Sequence, residues 1–424
     1  MPEPHANSYY AATAHVETNY PQLCGSERFD VAIIGGGFSG VATALSLAER
    51  GYDVVLMEQH KIAWGASGRN GGQLINGFGG AKRIRHQFGE SVEDLIWEMG
   101  WQGHKIIEAR IEKYAIHCDY KPGYMEVAVR PRQVRELEED IETYQRRGLG
   151  DDVRLISKTA LPDIIGTDTY LGGLINNKNG HLHPLNLCIG EARAAAGLGV
   201  RIFEGTKVLD IRYGEKPVVS TATGNIEANT VVIAGNAYHH LDPKRFSGLI
   251  FPAGSYMIAT EPLTEAGAQA LNPLDLAVAD LNNVLDYFRL SADKRMIFGG
   301  RCNYSGRVPK NIKDTLLPRL LKIYPQLAAK SIDYQWGGNI GIVINRVPLI
   351  RRWDKNVFSA MGYSGHGLNV THLAGDILAD AIAGSFERLD VFDRIEHVRI
   401  PFGRWFGNQI VALGMLYYRM KDLL

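Results

Sequence analysis

The chain is short of cysteine, of net charge and of long apolar runs, and each shortage removes a class of protein. Four cysteines stand among 424 residues, Cys24, Cys118, Cys188 and Cys302, with no CxxC pair and no histidine at zinc-finger spacing. That excludes a disulfide scaffold or a zinc module, and isolated thiols fit a reducing compartment. Lysine plus arginine equals aspartate plus glutamate at 46 each, so there is no basic footprint for nucleic acid as a partner. No stretch approaches the roughly 18 uninterrupted apolar residues of a membrane-crossing helix. The opening MPEPHANSYYAATAHVETNY is polar and lacks the apolar core of a secretory signal, so the expectation is a cytoplasmic protein. His181 and His183 form an HxH pair, but Pro184 follows and no acid is near, so no metal site is expected.

What is abundant is glycine, 47 residues gathered into a few short runs. After a lead-in over about 28 residues, expected to be irregular because of Pro2, Pro4 and Pro21, the pattern becomes strand, glycine turn, helix, strand. DVAIIGGG, FSGVATALSLAERG and YDVVLMEQ make one βαβ unit. Gly35-x-Gly37-x-x-Gly40 falls between strand and helix, where a dinucleotide fingerprint needs it. The first glycine permits the tight turn, the second lets main chain approach a pyrophosphate, and the third lets helix pack on strand. The helix N-terminus, at Phe38 and Ser39, offers free N–H groups and a positive dipole end to phosphates. Glu58 closes the second strand about 20 residues on, placed to accept from a ribose diol and to disfavour a 2′-phosphate. The second glycine run, GASGRNGGQ at 65–73, lets main chain approach a flat ring system and points to FAD rather than NAD. On local pattern alone that run also fits a glycine-rich surface loop.

Farther on, helices are expected at about 90–114, at 131–147 behind Pro131, and at 185–199. A strand is expected over TVVIAGNAY, a strand-rich region over 248–336, and a last strand, glycine turn and helix over NVFSAMG, YSGHG and LNVTHLAGDILADAIAG. This alternation predicts an α/β fold: a Rossmann-type domain built from discontinuous segments, with an interposed antiparallel sheet and helices forming a substrate domain. The expected division is 28–85, 184–246 and 337–400 for the dinucleotide domain and 86–183 and 247–336 for the substrate domain. Residues 401–424 are expected to form a C-terminal helical extension, amphipathic and aromatic, suited to weak contact with a membrane surface or to docking on the protein itself.

Taken with GHLHPLNLCIGEA at 180–192, LDYFRLSADKRMIFGG at 285–300 and GYSGHGLNVTHLAGDILA at 362–379, these motifs resemble the FAD-dependent amine and amino-acid oxidoreductases of the D-amino-acid oxidase, glycine oxidase and sarcosine oxidase superfamily. The likeness runs nearly end to end and is strongest to the branch that oxidises γ-glutamylputrescine in polyamine catabolism. It implies that Gly35, Gly37, Phe38, Ser39, Gly40, Glu58 and Gln59 hold the ADP half of FAD. Ala66, Ser67, Arg69, Asn70, Gly71, Gly72 and Gln73 then lie along the pyrophosphate and flavin, Val208 meets the adenine, and Ala234 and Gly235 turn beneath the cofactor. Gly365, His366, Gly367, Leu368 and Asn369 bring a helix N-terminus to the flavin's pyrimidine edge. The positions where relatives attach FAD through histidine or cysteine hold neither here (the first reads Asn70), so the resemblance implies non-covalent FAD. Candidates for the substrate pocket are Tyr287, Arg289, Trp336, His366 and Arg85, with Tyr287 and Arg289 on one strand face. The implied partners are a small amine and O2 or another electron acceptor. A sarcosine-, proline- or pipecolate-type amino-acid oxidase anchored by Arg85 is the competing expectation, weakened because the relatives' carboxylate-binding lysine position reads Asn369. A third is a flavin subunit of an electron carrier.

Overall fold

The structure, a computed structural model, describes residues 2–303, 309, 311–401 and 409. The C-terminal extension expected at 401–424 lies outside the described residues apart from Pro401 and Gln409. In chain order the strands are β1 (Gly25–Ile34), β2 (Val54–Met57), β3 (Gln73–Leu74), β4 (Lys121–Ala128), β5 (Val153–Ser157), β6 (Gly172–His181), β7 (Arg201–Phe203), β8 (Val208–Arg212), β9 (Val218–Thr221), β10 (Gly224–Ile233), β11 (Phe251–Thr260), β12 (Ala277–Asp280), β13 (Asp286–Leu290), β14 (Met296–Asn303), β15 (Ile332–Ile342), β16 (Leu349–Asp354) and β17 (Val357–Met361).

They form two sheets. The first runs β16-β17-β10-β1-β2-β7, with β8 and β9 attached to β10. Its centre is parallel, β10 and β2 flanking β1 and β17 beyond β10, as a buried run such as DVAII requires. The helices Phe38–Ala48, Glu93–Lys113, Pro184–Gly197 and Gly367–Ile382 pack together on this sheet, burying Val41, Leu45, Ile107, Leu187, Leu373 and Ile377 in one core. Gly375 lets two of these helices touch backbone to backbone, because a Cβ there would stand 2.7 Å from the Thr43 nitrogen.

The second sheet runs β15-β11-β14-β13-β12-β4-β6-β3, with β5 beside β6. One face carries Met125, Val278, Phe288, Phe298 and Ile258 under the helix Ile312–Ile323. The other face looks toward the first sheet. On it, the strand register aligns Trp336, Met257, Gly299, Tyr287, Ala279 and Glu126 in a single cross-strand row.

Two segments join across the division expected from sequence. Gln73–Leu74 pairs with β6 and so belongs to the second sheet. The helix Glu93–Lys113 buries Ile96, Met99 and Ile107 in the first sheet's core, because its apolar stripe faces the Gly367–Ile382 helix. The lead-in is also more ordered than its prolines suggest. Ser8 caps a short helix, Tyr9–Ala12, and Tyr9 and Tyr10 are buried.

Candidate active site

Each glycine of the first motif is held by a contact that a side chain would fill. A Cβ on Gly35 (φ 115°) would stand 2.8 Å from the Ala234 oxygen, one on Gly37 would stand 2.8 Å from Ser67 Oγ, and one on Gly40 would overlap the Gly35 carbonyl. Ser67 Oγ accepts from the Phe38 N–H at 2.8 Å, tying the second glycine loop to the first. The N-cap residue of the Phe38–Ala48 helix is Gly37, which has no side chain of its own to cap it. Glu58 accepts from the Gly36 and His60 N–H groups at 2.7 and 2.8 Å. Burial raises its pKa, and the Gly36 N–H offsets part of that. Gln59 pairs its amide with His60 Nε2 at 2.8 Å. Ala234 donates to Ile34 O at 2.8 Å, Gly235 follows in the turn, and Val208 is buried at the start of β8 with its carbonyl taking His240 Nε2 at 3.2 Å.

The second loop is stitched to the second sheet. Asn70 donates Nδ2 to the Ala66 and Ser67 carbonyls and accepts from Gly72 N–H, so its side chain shapes the turn. Arg69 donates to Trp64 O and Gly337 O, lies 4.3 Å over the Trp64 ring, and accepts Trp336 Nε1 at its carbonyl, 3.0 Å away. Gln73 donates to Val278 O at 3.1 Å. The ring of Tyr287 fills the space a side chain on Gly71 would need, 2.7 Å from its Cβ.

Tyr287 and Arg289 do share a face, as expected, but their guanidinium and ring have different duties. Arg289 is 4% exposed and donates to Gly71 O, Leu290 O, Leu182 O and Tyr10 Oη. It clamps the loop, the β6 end and the N-terminal segment together. Beside it His183 is held neutral, its pKa lowered to about 3 by burial and then by Arg289, and its Nδ1 accepts from Asn186 N–H to cap the next helix. Arg85 stands apart: it is exposed on the helix Ala81–Phe88 and paired with Glu93 at 3.4 Å.

The Gly367–Ile382 helix also begins without a side-chain cap, after Gly365 at φ 99°. His366 precedes it in a recess: its surface is accessible, while the protein crowded around it, and then the Arg346 charge, lower its pKa. Leu368 is buried, and Asn369 turns inward, donating to Gly77 O and Gly100 O at 3.1 and 2.8 Å. One turn along, a fully buried chain links His372 Nε2 to Glu191 at 2.9 Å and Glu191 to Arg110 at 3.2 Å, while His372 Nδ1 meets Leu368 O at 2.7 Å. This chain positions the helix start, and sequence reading missed it; its members lie 81 and 181 residues apart, and their one local signal is a basic residue within an amphipathic helix.

These residues fit a dinucleotide with a flavin. At two helix starts the N-cap residue makes no side-chain cap, a carboxylate is oriented by two N–H groups, and Gly35 and Gly40 leave room only for backbone. The pattern of the FAD dependent oxidoreductase family matches residues 30–381, and the chain belongs to that family. It is an FAD-dependent oxidoreductase. The chain is 40% identical to γ-glutamylputrescine oxidoreductase of Escherichia coli over 99% of both chains. It is 39% identical to the probable oxidoreductase OrdL of Haemophilus influenzae, over 99% of this chain and 97% of that one. In fold it matches glycine oxidase from Geobacillus kaustophilus at a TM-score of 0.74 and 22% identity, covering 88% of this chain and 99% of that one. Among the described residues no helix is long and apolar enough to cross a membrane.

Proposed function

We propose that this chain oxidises the terminal amine of γ-glutamylputrescine, giving the corresponding aldehyde, ammonia and reduced flavin. The observation that carries this reading is 40% identity with an enzyme of that name along 99% of both chains. When bound, FAD supplies the two-electron acceptor that takes a hydride equivalent from the carbon next to nitrogen, and water hydrolyses the resulting imine. The protein's own part is to bind, orient and keep water away. Tyr287 puts an aromatic wall on the second sheet beside the glycine loop, while Trp336, a sequence candidate for the pocket, is 2% exposed, packs on Tyr10 and braces that loop from inside through the Arg69 carbonyl. Desolvation against such a wall lowers an amine's pKa and favours the neutral form that reacts. His366, held toward its neutral state, adds no competing positive charge at the helix start. Arg289 is a positioning residue, because its donors are committed to backbone and Tyr10. The FAD is read as non-covalent, since Asn70 is engaged in its own turn.

The amino-acid oxidase reading has less support in the geometry, since Arg85 has a surface partner in Glu93 and Asn369 is turned into the fold. The test is anaerobic mixing of the purified yellow protein with amines while following the flavin band near about 450 nm. Bleaching by γ-glutamylputrescine but not by sarcosine, pipecolate or D-alanine is the expected result. Bleaching only by a small amino acid would overturn it. Readmitting air then reports whether O2 or another acceptor takes the electrons.

A further inference from the structure

Glu126 has no task in the site described above, yet it lies on the same floor. It shares the cross-strand row with Tyr287, two strands away through Ala279, which at a strand spacing of about 4.8 Å is about 10 Å. Its side chain is half-buried, and among the described residues its carboxylate has no hydrogen bond or ion pair. The groups around it offer no positive charge. Tyr124 lies on the same face of β4, and Tyr144 and Asp140 approach from the helix Pro131–Arg146. Burial, and then Asp140, raise the Glu126 pKa to about 7.

A crowded carboxylate without a partner costs free energy, and its row neighbours Ala279 and Leu174 are apolar and offer it none. A buried amide stands close by. Asn176, 2% exposed, sits diagonally across β6 from Glu126, about 7–8 Å away by strand geometry, and its side chain faces the Tyr144 hydroxyl. An unpaired carboxylate beside an amide donor offers both of the partners that a zwitterionic amino-acid head requires.

We infer that Glu126 is the distal anchor of the amine site, pairing with a second cationic nitrogen at the far end of the substrate. The inference rests on the proposed function, and the lengths agree. In γ-glutamylputrescine the α-ammonium lies about 12 Å from the reacting amine, at an extended rise of about 3.5 Å per three bonds. With the reacting end against Tyr287, the glutamyl head reaches Glu126. A cation there stabilises the ionised carboxylate, so the pairing is present above about pH 7 and fades as pH falls below it.

The test compares wild-type holoenzyme with Glu126→Gln on γ-glutamylputrescine and on glutarylputrescine, which lacks only the α-ammonium. Wild type should prefer the ammonium-bearing substrate by about tenfold or more in KM, a preference that falls away in acid. In Glu126→Gln that preference and its acid dependence should vanish, with kcat within about twofold and the KM for glutarylputrescine unmoved. Glu126→Asp should restore part of it. Retained flavin and thermal midpoint show that the variants fold. Persistence of the full preference in Glu126→Gln would overturn the inference. If γ-glutamylputrescine does not bleach the flavin at all, the proposed function fails on its own. Glu126 is then judged with two amines that do bleach it and differ only in a distal ammonium, and equal KM values in wild type would end the idea.

Discussion

At the first sheet Gly35 and Gly40 clear space for backbone, the Ala234 and Gly35 carbonyls. In the second, Gly71 and Gly299 clear space for a side chain, the ring of Tyr287. The cofactor half therefore presents main-chain N–H groups and helix starts, whose positions follow from chain geometry and tolerate few substitutions. The substrate half presents side chains set by strand register, where a change alters what is bound before it alters whether the protein folds. The two halves are designed at different levels of the chain, and substitutions should separate them.

The largest separation is expected between Gly40→Ala and Gly299→Ala. The new methyl of Gly40→Ala overlaps the Gly35 carbonyl, which has no room to move between helix and strand. The cost lies at or above the ~3 kcal/mol end of overpacking, and the purified protein should be nearly colourless at 450 nm, about the flavin maximum. Gly299→Ala meets the far end of the Tyr287 ring, which can rotate. It should keep its flavin and shift KM several-fold. Loss of flavin in both variants would erase the contrast.

Arg289→Met comes next and sharpens the boundary between the halves. It strips the donors from the Gly71 and Leu182 carbonyls, each worth about 1–3 kcal/mol when left unpaired in the interior. The thermal midpoint should drop clearly while kcat/KM falls modestly. An unchanged midpoint with collapsed kcat/KM would make Arg289 a substrate contact instead of a clamp. The smallest effect belongs to Arg85→Met. Its pair with Glu93 is exposed and worth about 0–1 kcal/mol, so stability and amine KM should both stay within error. A tenfold rise in KM would return Arg85 to the pocket.

The same contrast explains what was legible in the sequence. Glycine spacing, the terminal Glu58 and the strand–helix alternation are local, and the fold class they predict is the one observed, with the last helix beginning at Gly367, one residue before its expected start. Tyr287 and Arg289 were placed on one face because alternation in a strand is also local. Which of the two is committed to backbone depends on Gly71, 218 residues away from Arg289, and no periodicity reports that. Glu126 lies in the alternating run GYMEVAVR, and alternation alone does not report that the helix Pro131–Arg146 packs beside its strand. Asn369 was read by its match to a lysine position, and its amide instead holds two carbonyls of neighbouring segments.

The N-terminal segment carries a consequence for how the chain is made. Its anchors are remote: Thr13 meets His183, Thr18 meets Glu204, and Tyr10 meets Arg289, 170, 186 and 279 residues downstream. At about 5–20 residues per second of synthesis, Tyr10 waits on the order of 15–55 s before Arg289 exists. These residues emerge well before their partners and are thus among the last to lock. Until then Tyr9 and Tyr10 are exposed aromatic surface, an opening for chaperones and proteases that closes only once both sheets are complete.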